Sequence, residues 1–296
     1  MSHARHDIQK ILPEDFPPSL NEIPEPPEQL YTKGELPDPA QFYYLAVVGS
    51  RKYTSYGREA TERIISGLAG YPICIVSGLA MGIDGIAHRS ALDAGLRTIA
   101  IPGSGLDPSV IYPRAHANLA REIIENGGAL LSEYEPKLRA APWTFPQRNR
   151  IMAGLSQGVL IVEAEEQSGT LITARLALDY NKNVFVIPGS IFSATSKGTN
   201  KLIKQGATPI ASACELLEEL GFIEPAQFDN ESSSEPLDLE LYTKSEQVLL
   251  LLLDEPRPRE EILSLSTLSS PQTLSTLTIL EIKGVIREKM GKIERI

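Results

Sequence analysis

The stretch FYYLAVVGSRKYTSYG, from Phe42 to Gly57, decides the fold. An apolar run ends at Gly49, a polar turn with two cations follows, and Thr54 or Ser55 can cap a helix starting near Gly57. A continuous apolar run closed by a glycine predicts a strand buried on both faces. The same pattern recurs in ICIVSG, RTIAIPG, ALLSEY, GVLIVEA and NVFVIPG, with helical patterns at 57–69, 84–94, 114–126, 148–155, 170–180 and 198–205. This alternation predicts an α/β fold with a doubly wound, mostly parallel sheet. Runs ending at Gly49, Gly78, Gly103 and Gly189 place several loops along one rim, where such sheets bind ligands.

The 296 residues, 42% of them hydrophobic, suffice for one to two domains with substantial cores. No run approaches the roughly 18 apolar residues of a membrane span, and the opening MSHARHDIQKILPEDFPP lacks the apolar core of a secretory signal. The expectation is a cytoplasmic protein that does not engage a membrane. Cys74 and Cys214 show no metal-ligand spacing and no obvious partner, so both read as buried thiols in a reducing compartment.

The net charge of −10 looks unsuited to nucleic acid, but it is unevenly placed. Residues 42–210 carry 17 Lys and Arg against 13 Asp and Glu, whereas the rest of the chain carries 11 against 25. Nine acidic residues and no basic one fall between 211 and 242, around FIEPAQFDNESSSEPLDLEL. Four segments follow: a Pro-rich acidic N-terminal segment at 1–41, extended and packed on its neighbour; the α/β domain at 42–212; an acidic linker at 213–242; and a small module at 243–296. In that module SEQVLLLLL, EEILSLS and PQTLSTLTILEIKG predict three helices, and VIREKMGKIERI a two-stranded wing around Gly291, the outline of a winged helix. Its charges balance, and Lys283 alone brings a cation to the third helix, which equips it poorly to read a major groove.

Among the loops, GSRKYTSYG offers the Gly49 and Ser50 amides, the Arg51 guanidinium and the positive end of a helix. That set favours an oxyanion the size of one phosphate. A plain strand-to-helix turn with a solvated arginine is the other reading. SGLAMGIDGIAHRSAL repeats the arrangement, with Gly78 and Gly82 in the loop, Asp84 as N-cap and His88 on the first turns of the helix. His88 reads either as a buried histidine holding the loop or as a base facing the cleft.

The most informative stretch is TFPQRNRIMAGLSQGVLIVEAEEQSGTLITARLAL, residues 144–178. Arg148 and Arg150 flank Asn149 at the start of a short helix, preceded by Trp143, Phe145 and Pro146; Glu163 ends a strand, and Ser168-Gly169-Thr170 opens another helix. Guanidinium groups take phosphates and aromatic faces take bases, chemistry that suits a single nucleic-acid strand. The alternative is that the aromatics plug the core and one arginine pairs with Glu163.

Taken in order, GSRKYTSYG, SGLAMGIDGIAH, TIAIPGSGLD, LLSEYEP, FPQRNRIMAGLSQGVLIVEA, SGTLITARLAL, VFVIPGS and GTNKLIKQGA make a sequence that resembles the DprA/Smf family of DNA-processing proteins. The resemblance covers roughly residues 16–212, and the C-terminal module is similar to the winged helix that many members carry. It implies an extended Rossmann-like fold that binds single-stranded DNA without sequence preference, protects incoming DNA, forms homodimers and loads the RecA recombinase in natural transformation or recombination. It implies no catalytic residue, no cofactor and no metal. Carried onto matching positions, it makes Gly49, Ser50 and Arg51 phosphate binders, Phe145 a base-stacking face, and Arg148, Asn149 and Arg150 groups that hold the strand or shape the loop. Lys137, just after LLSEYEP, is a further phosphate contact, while Gly78, Gly82, Asp84, His88, Ser168 and Gly169 shape the loops. The first 41 residues leave no room for the N-terminal helical module of many members.

A rival from the enzyme class is a nucleotide or nucleoside monophosphate hydrolase of the lysine-decarboxylase-like group, which shares a Rossmann-type sheet. EEQSGTLITA and IPGSIF lack the glycine pair of that group's phosphate motif. The enzyme reading also needs Glu163, Glu166 or Asp84 as a positioned acid or base. A third reading gives the winged helix to a protein partner.

Overall fold

The computed structural model describes residues 7–223, 242–289 and 291–295, in two compact units that divide at Pro225. The N-terminal segment does more than lie extended on its neighbour. Strands β1 (Gln9–Ile11) and β2 (Leu30–Gly34) join the main sheet as an antiparallel edge, and α1 (Pro18–Asn21) buries Leu20 in the core. Their irregular apolar spacing hides this, because the strands are licensed by pairing with a distant partner rather than by their own pattern.

The centre of the sheet is β3 (Tyr43–Val48). Leu45 and Val47 enter one core and Tyr44, Ala46 and Val48 the other, as the two-residue period of a strand requires, so both faces must be covered. The chain leaves β3 through α2 (Ser55–Ser66), β4 (Ile73–Ser77), α3 (Ile83–Asp93), β5 (Arg97–Ala100), α4 (Ala117–Glu125) and β6 (Ala129–Ser132). It then crosses back through α5 (Thr144–Leu155) to β7 (Gly158–Ile161) on the other side of β3. From there it continues through α6 (Gly169–Asp179), β8 (Asn183–Val186), α7 (Lys197–Lys204) and β9 (Thr208–Pro209). The nine strands run in the order β1-β2-β6-β5-β4-β3-β7-β8-β9, parallel from β6 to β9. The doubly wound reading therefore holds.

The first unit extends past residue 212. Helix α8 (Ala213–Glu219) is capped by Ser212, buries Leu216 and Leu217 in the core beneath α2, and is followed by Phe222, whose ring meets Tyr43 and Tyr71 edge-on. The acidic count of this stretch was a misleading linker signal, since its glutamates lie on the outer face of a docked helix. Residues 224–241, the rest of that linker, lie outside the described residues. Cys74 is buried as expected, but Cys214 is exposed on α8.

The second unit contains α9 (Lys244–Leu252), β10 (Arg257–Pro258), α10 (Arg259–Leu265), α11 (Ser270–Ile282), β11 (Ile286–Lys289) and β12 (Lys292–Arg295). Its three helices are followed by a β11–β12 hairpin, and β10 pairs on β12. Thr243 and Glu246 make a capping box at α9, and Leu249, Leu250, Ile262, Leu277, Leu280, Ile286 and Ile293 form its core.

Candidate functional site

β3 and β7 are neighbours whose connections lead away in opposite directions. Such a switch point opens a crevice outside the carboxyl ends of the two strands. A cavity of about 400 Å³ occupies it, bounded by the 49–52 turn after β3, by Phe145, Arg148 and Asn149 on α5, and by Ser168, Gly169 and Thr170 at the start of α6.

The walls are tied together by their own polar groups. Ser168 Oγ accepts the Thr170 N–H at 3.1 Å, capping α6. Thr170 Oγ1 in turn donates to the Gly49 carbonyl at 3.1 Å, which joins the end of α6 to the turn. Ser50 Oγ accepts the Lys52 N–H at 3.0 Å, and the Ser50 carbonyl accepts from Ile83 N at 3.2 Å. Gly82, with φ of 88°, lies against the Ser50 and Arg51 backbone, where a Cβ would overlap it. By contrast, a Cβ on Gly169 would meet only open space. The amino end of the 11-residue helix α6, capped by the Ser168 hydroxyl and by no carboxylate, thus borders the cavity, which exposed Glu165 also lines.

The amino end of α2 is different, and here the expectation from GSRKYTSYG is corrected. Glu163, 3% exposed and held at φ of 54°, accepts hydrogen bonds from Thr54 N at 2.8 Å, Thr54 Oγ1 at 2.5 Å and Thr195 Oγ1 at 2.9 Å. Thr54 is the N-cap of α2, so the protein's own carboxylate already sits at that positive end. A Cβ on Gly57 would overlap this carboxylate. Glu163 pairs with no arginine among the described residues; the arginine ion pair of this region is the partly buried one of Arg150 with Glu133.

Arg148 is 4% exposed, and its Nη1 donates to the Ile101 carbonyl at 2.5 Å. Burial lowers the proton affinity of its guanidinium, and the negative charge of nearby Asp84 opposes that shift. Burial likewise raises the Asp84 carboxyl, against the pull of Arg148 and of the Gly78 and Ala80 N–H groups, which donate to it at 3.1 and 3.4 Å. Gly78 lies between the two, where any side chain would displace both. Asp84 is not the N-cap of α3; Gly82 holds that position, and Asp84 turns back from the first turn to hold the loop.

Of the three residues Arg148, Asn149 and Arg150, the first two line the cavity and the third does not. Arg150 donates to the Glu25 carbonyl at 2.8 Å and pairs with Glu133, because about 100° per residue on α5 turns it away. As a direct phosphate ligand in this cavity it is ruled out. Lys137 is exposed after β6 and does not line the cavity. His88 is fully buried, its Nδ1 lying 2.7 Å from Thr98 Oγ1. Since that hydroxyl gives its proton to the Ile75 carbonyl, Nδ1 is the donor, and the ring does not line the cavity.

The aromatic wall begins earlier than the sequence pattern predicts. α5 starts at Thr144, whose hydroxyl donates to the Gly103 carbonyl at 2.6 Å, so Phe145 is on the first helical turn rather than in a loop. The Arg51 guanidinium lies 5.1 Å from the Phe145 ring centroid, and the Tyr112 ring is 5.8 Å beyond. Trp143 does not plug the core; it is 55% exposed and meets Tyr134 edge-on. Thr170 and Tyr112 carry more of the site than sequence reasoning assigned them. The signal for Thr170 was its place in SGT at a helix start.

Comparison with known proteins places this architecture. The family profile described as DNA recombination-mediator protein A matches residues 8–221. This chain belongs to the DNA recombination-mediator protein A family. The family match takes in β1, β2 and α8, and so coincides with the first structural unit. Protein Smf of Escherichia coli is 38% identical over 295 residues, covering 98% of this chain and 78% of that protein. DNA processing protein DprA of Streptococcus pneumoniae is 42% identical over 226 residues, covering 75% and 78%. The solved structure of the S. pneumoniae DprA superposes with a TM-score of 0.67 at 40% identity, over 73% of this chain and 75% of that one. DNA processing protein A of Helicobacter pylori, described for its single-stranded DNA binding mode, gives 0.66 at 32% identity, over 74% and 98%.

Proposed function

We propose that this chain binds single-stranded DNA without sequence preference, protects it, and passes it to the RecA recombinase, acting as a cytoplasmic homodimer. The observation that carries the reading is the amino end of α6, capped by a hydroxyl rather than a carboxylate, facing Ser50 and Arg51 across the switch-point cavity, beside the Arg51–Phe145 stack. A backbone phosphate seats between Gly49, Ser50, Arg51 and the Gly169 N–H at the start of α6, with Asn149 at its side, and a base stacks on Phe145. Contacts to phosphates and to ring faces carry no base-edge information, which makes binding tolerant of sequence. Arg148, Asp84, Gly78, Gly82 and His88 hold the loops from beneath. Lys137 meets the strand outside the cavity.

The engagement of Asp84 and Glu163 takes these two carboxylates out of acid–base chemistry and favours binding over hydrolysis. Asp84 is occupied by two N–H groups and Arg148, and Glu163 by three donors. A general acid or base needs a lone pair or proton within reach of the substrate. The H. pylori relative, described for single-stranded DNA binding, supports the choice of strand. Dimerisation and RecA loading extend the proposal through family resemblance, and light scattering and a strand-exchange assay with purified RecA test them.

The decisive experiment is fluorescence anisotropy of labelled single strands, with matched duplex as competitor, for wild type and Arg51→Ala at low and high salt. Tight, salt-sensitive binding that duplex does not displace, and that Arg51→Ala weakens, is the expected result. Duplex competing as well as single strand, or turnover of a nucleoside monophosphate lost in Glu163→Gln, would overturn the reading.

A further inference from the structure

The loop after β8 presents two large apolar side chains to solvent. Ile191 is 77% and Phe192 91% exposed. They occupy the two corners of a turn closed by Ser193 N–H to the Ser190 carbonyl at 3.0 Å, and Ser190 Oγ accepts the Phe192 N–H at 3.2 Å. Turn corners ordinarily carry Gly, Pro, Asn, Asp or Ser, so an ordered turn that displays Ile and Phe calls for a partner.

The surroundings identify its chemistry. Lys197 and Lys201, one turn apart on α7, are both exposed, whereas Lys182 precedes β8 and Lys204 ends α7, toward the opposite rim. Exposed Lys197 opens α7 directly after the loop. An exposed aromatic beside cations matches a stacking platform on a polyanion. The loop also shares the carboxyl rim of the sheet with the switch-point cavity. Phe145 lies against Gly103 beyond β5, and β5-β4-β3-β7-β8 are consecutive strands. Strand spacing of about 4.8 Å therefore separates the two aromatics by roughly 19 Å along the rim, a distance that takes several nucleotides to bridge.

The geometry points to Phe192 as a second base-stacking face, which with Lys197 receives the single strand where it leaves the cavity. This rests on the single-strand reading above and adds to it where the strand goes and how long it must be. The test measures affinity of Phe192→Ala, Phe192→Tyr and Lys197→Ala for oligothymidylates of about four and about twelve nucleotides, with light scattering of each variant. Phe192→Ala is expected to weaken the long oligomer about tenfold with its salt slope unchanged, and the short one less than about twofold. Phe192→Tyr should restore the long-oligomer affinity, and Lys197→Ala should flatten the salt slope by about 0.7 on the long oligomer alone. Equal effects on both lengths, no effect on either, or a change of oligomeric state in Phe192→Ala would overturn the assignment; the last would give the loop to a second copy of this chain. If wild type binds neither oligomer, the single-strand reading itself fails.

Discussion

Glu163 and Thr54, 109 positions apart, are joined by two hydrogen bonds that seat a carboxylate on the amino end of α2. The arrangement resolves a competition built into the rim. Two helices, α2 and α6, both bring positive ends there, and the protein seats a carboxylate on one and caps the other with the Ser168 hydroxyl alone. Hydrogen bonds to a charged group contribute about 1.5–3 kcal/mol each. Glu163→Ala is therefore expected to lower unfolding stability by about 3 kcal/mol, and Glu163→Gln, which keeps an acceptor, by about half that. Urea denaturation measures both.

Gly57 gives a sharper test of the same contact. Glycine to alanine inside a helix ordinarily stabilises by about 0.5–1 kcal/mol. Here the added methyl enters the space of the Glu163 carboxylate, so Gly57→Ala is expected to destabilise. In a Glu163→Ala background the sign should revert to stabilising, and a double-mutant cycle reads the coupling.

The two arginines of the QRNR run should behave unlike each other. Arg148→Ala leaves Asp84 buried without its cation, and a loss of about 3–5 kcal/mol is expected, partly recovered by adding Asp84→Asn. Arg150→Ala breaks a partly buried pair at the edge of the sheet. It should cost less stability and leave single-strand affinity within about twofold, because Arg150 does not reach the cavity.

Arg51 and Phe145 touch each other but act through different physics. Arg51→Ala should flatten the salt dependence of single-strand binding by about 0.7 in slope, the share of one released counterion. Phe145→Ala should weaken binding by about 1–3 kcal/mol at every salt concentration with the slope little changed. Equal slopes for the two variants would contradict the roles given to them.

Stability should also record the buried imidazole. Burial lowers the His88 pKa from 6.5 to about 3, with the charge of nearby His116 acting in the same direction. A depressed pKa contributes stability that is fully present above 6.5 and is lost as pH falls toward 3, because the unfolded chain takes up the proton first. Between pH 7 and pH 5 this amounts to about 2 kcal/mol. His88→Gln should reduce the pH dependence of unfolding over that interval by about this amount.

Much of this protein was legible before folding. The apolar runs ending at Gly49, Gly78, Gly103 and Gly189 determined a parallel sheet with one loop-bearing rim, because a strand buried on both faces leaves an unmistakable pattern. The ordered motifs carried the family, and SGT carried a helix start that lines the cavity. Local pattern was silent on β2, whose partner β6 lies about a hundred positions away, and on β1, which pairs only with β2. It also misjudged α8, where acidity on an outer face outweighed two buried leucines.

Within the site, the sequence by itself determined which chemical groups gather at the rim: hydroxyls, glycine turns, guanidinium groups and aromatic rings. Only the tertiary structure decided what each group faces. Arg148, Asn149 and Arg150 are adjacent in the chain, yet one is buried beneath the loop, one lines the cavity and one pairs with Glu133. The helix that carries them sets their directions, and long-range packing sets the helix. Likewise no spacing rule joins Glu163 to Thr54; that contact exists because β3 and β7 lie side by side, and it determines which helix end is left to meet a ligand.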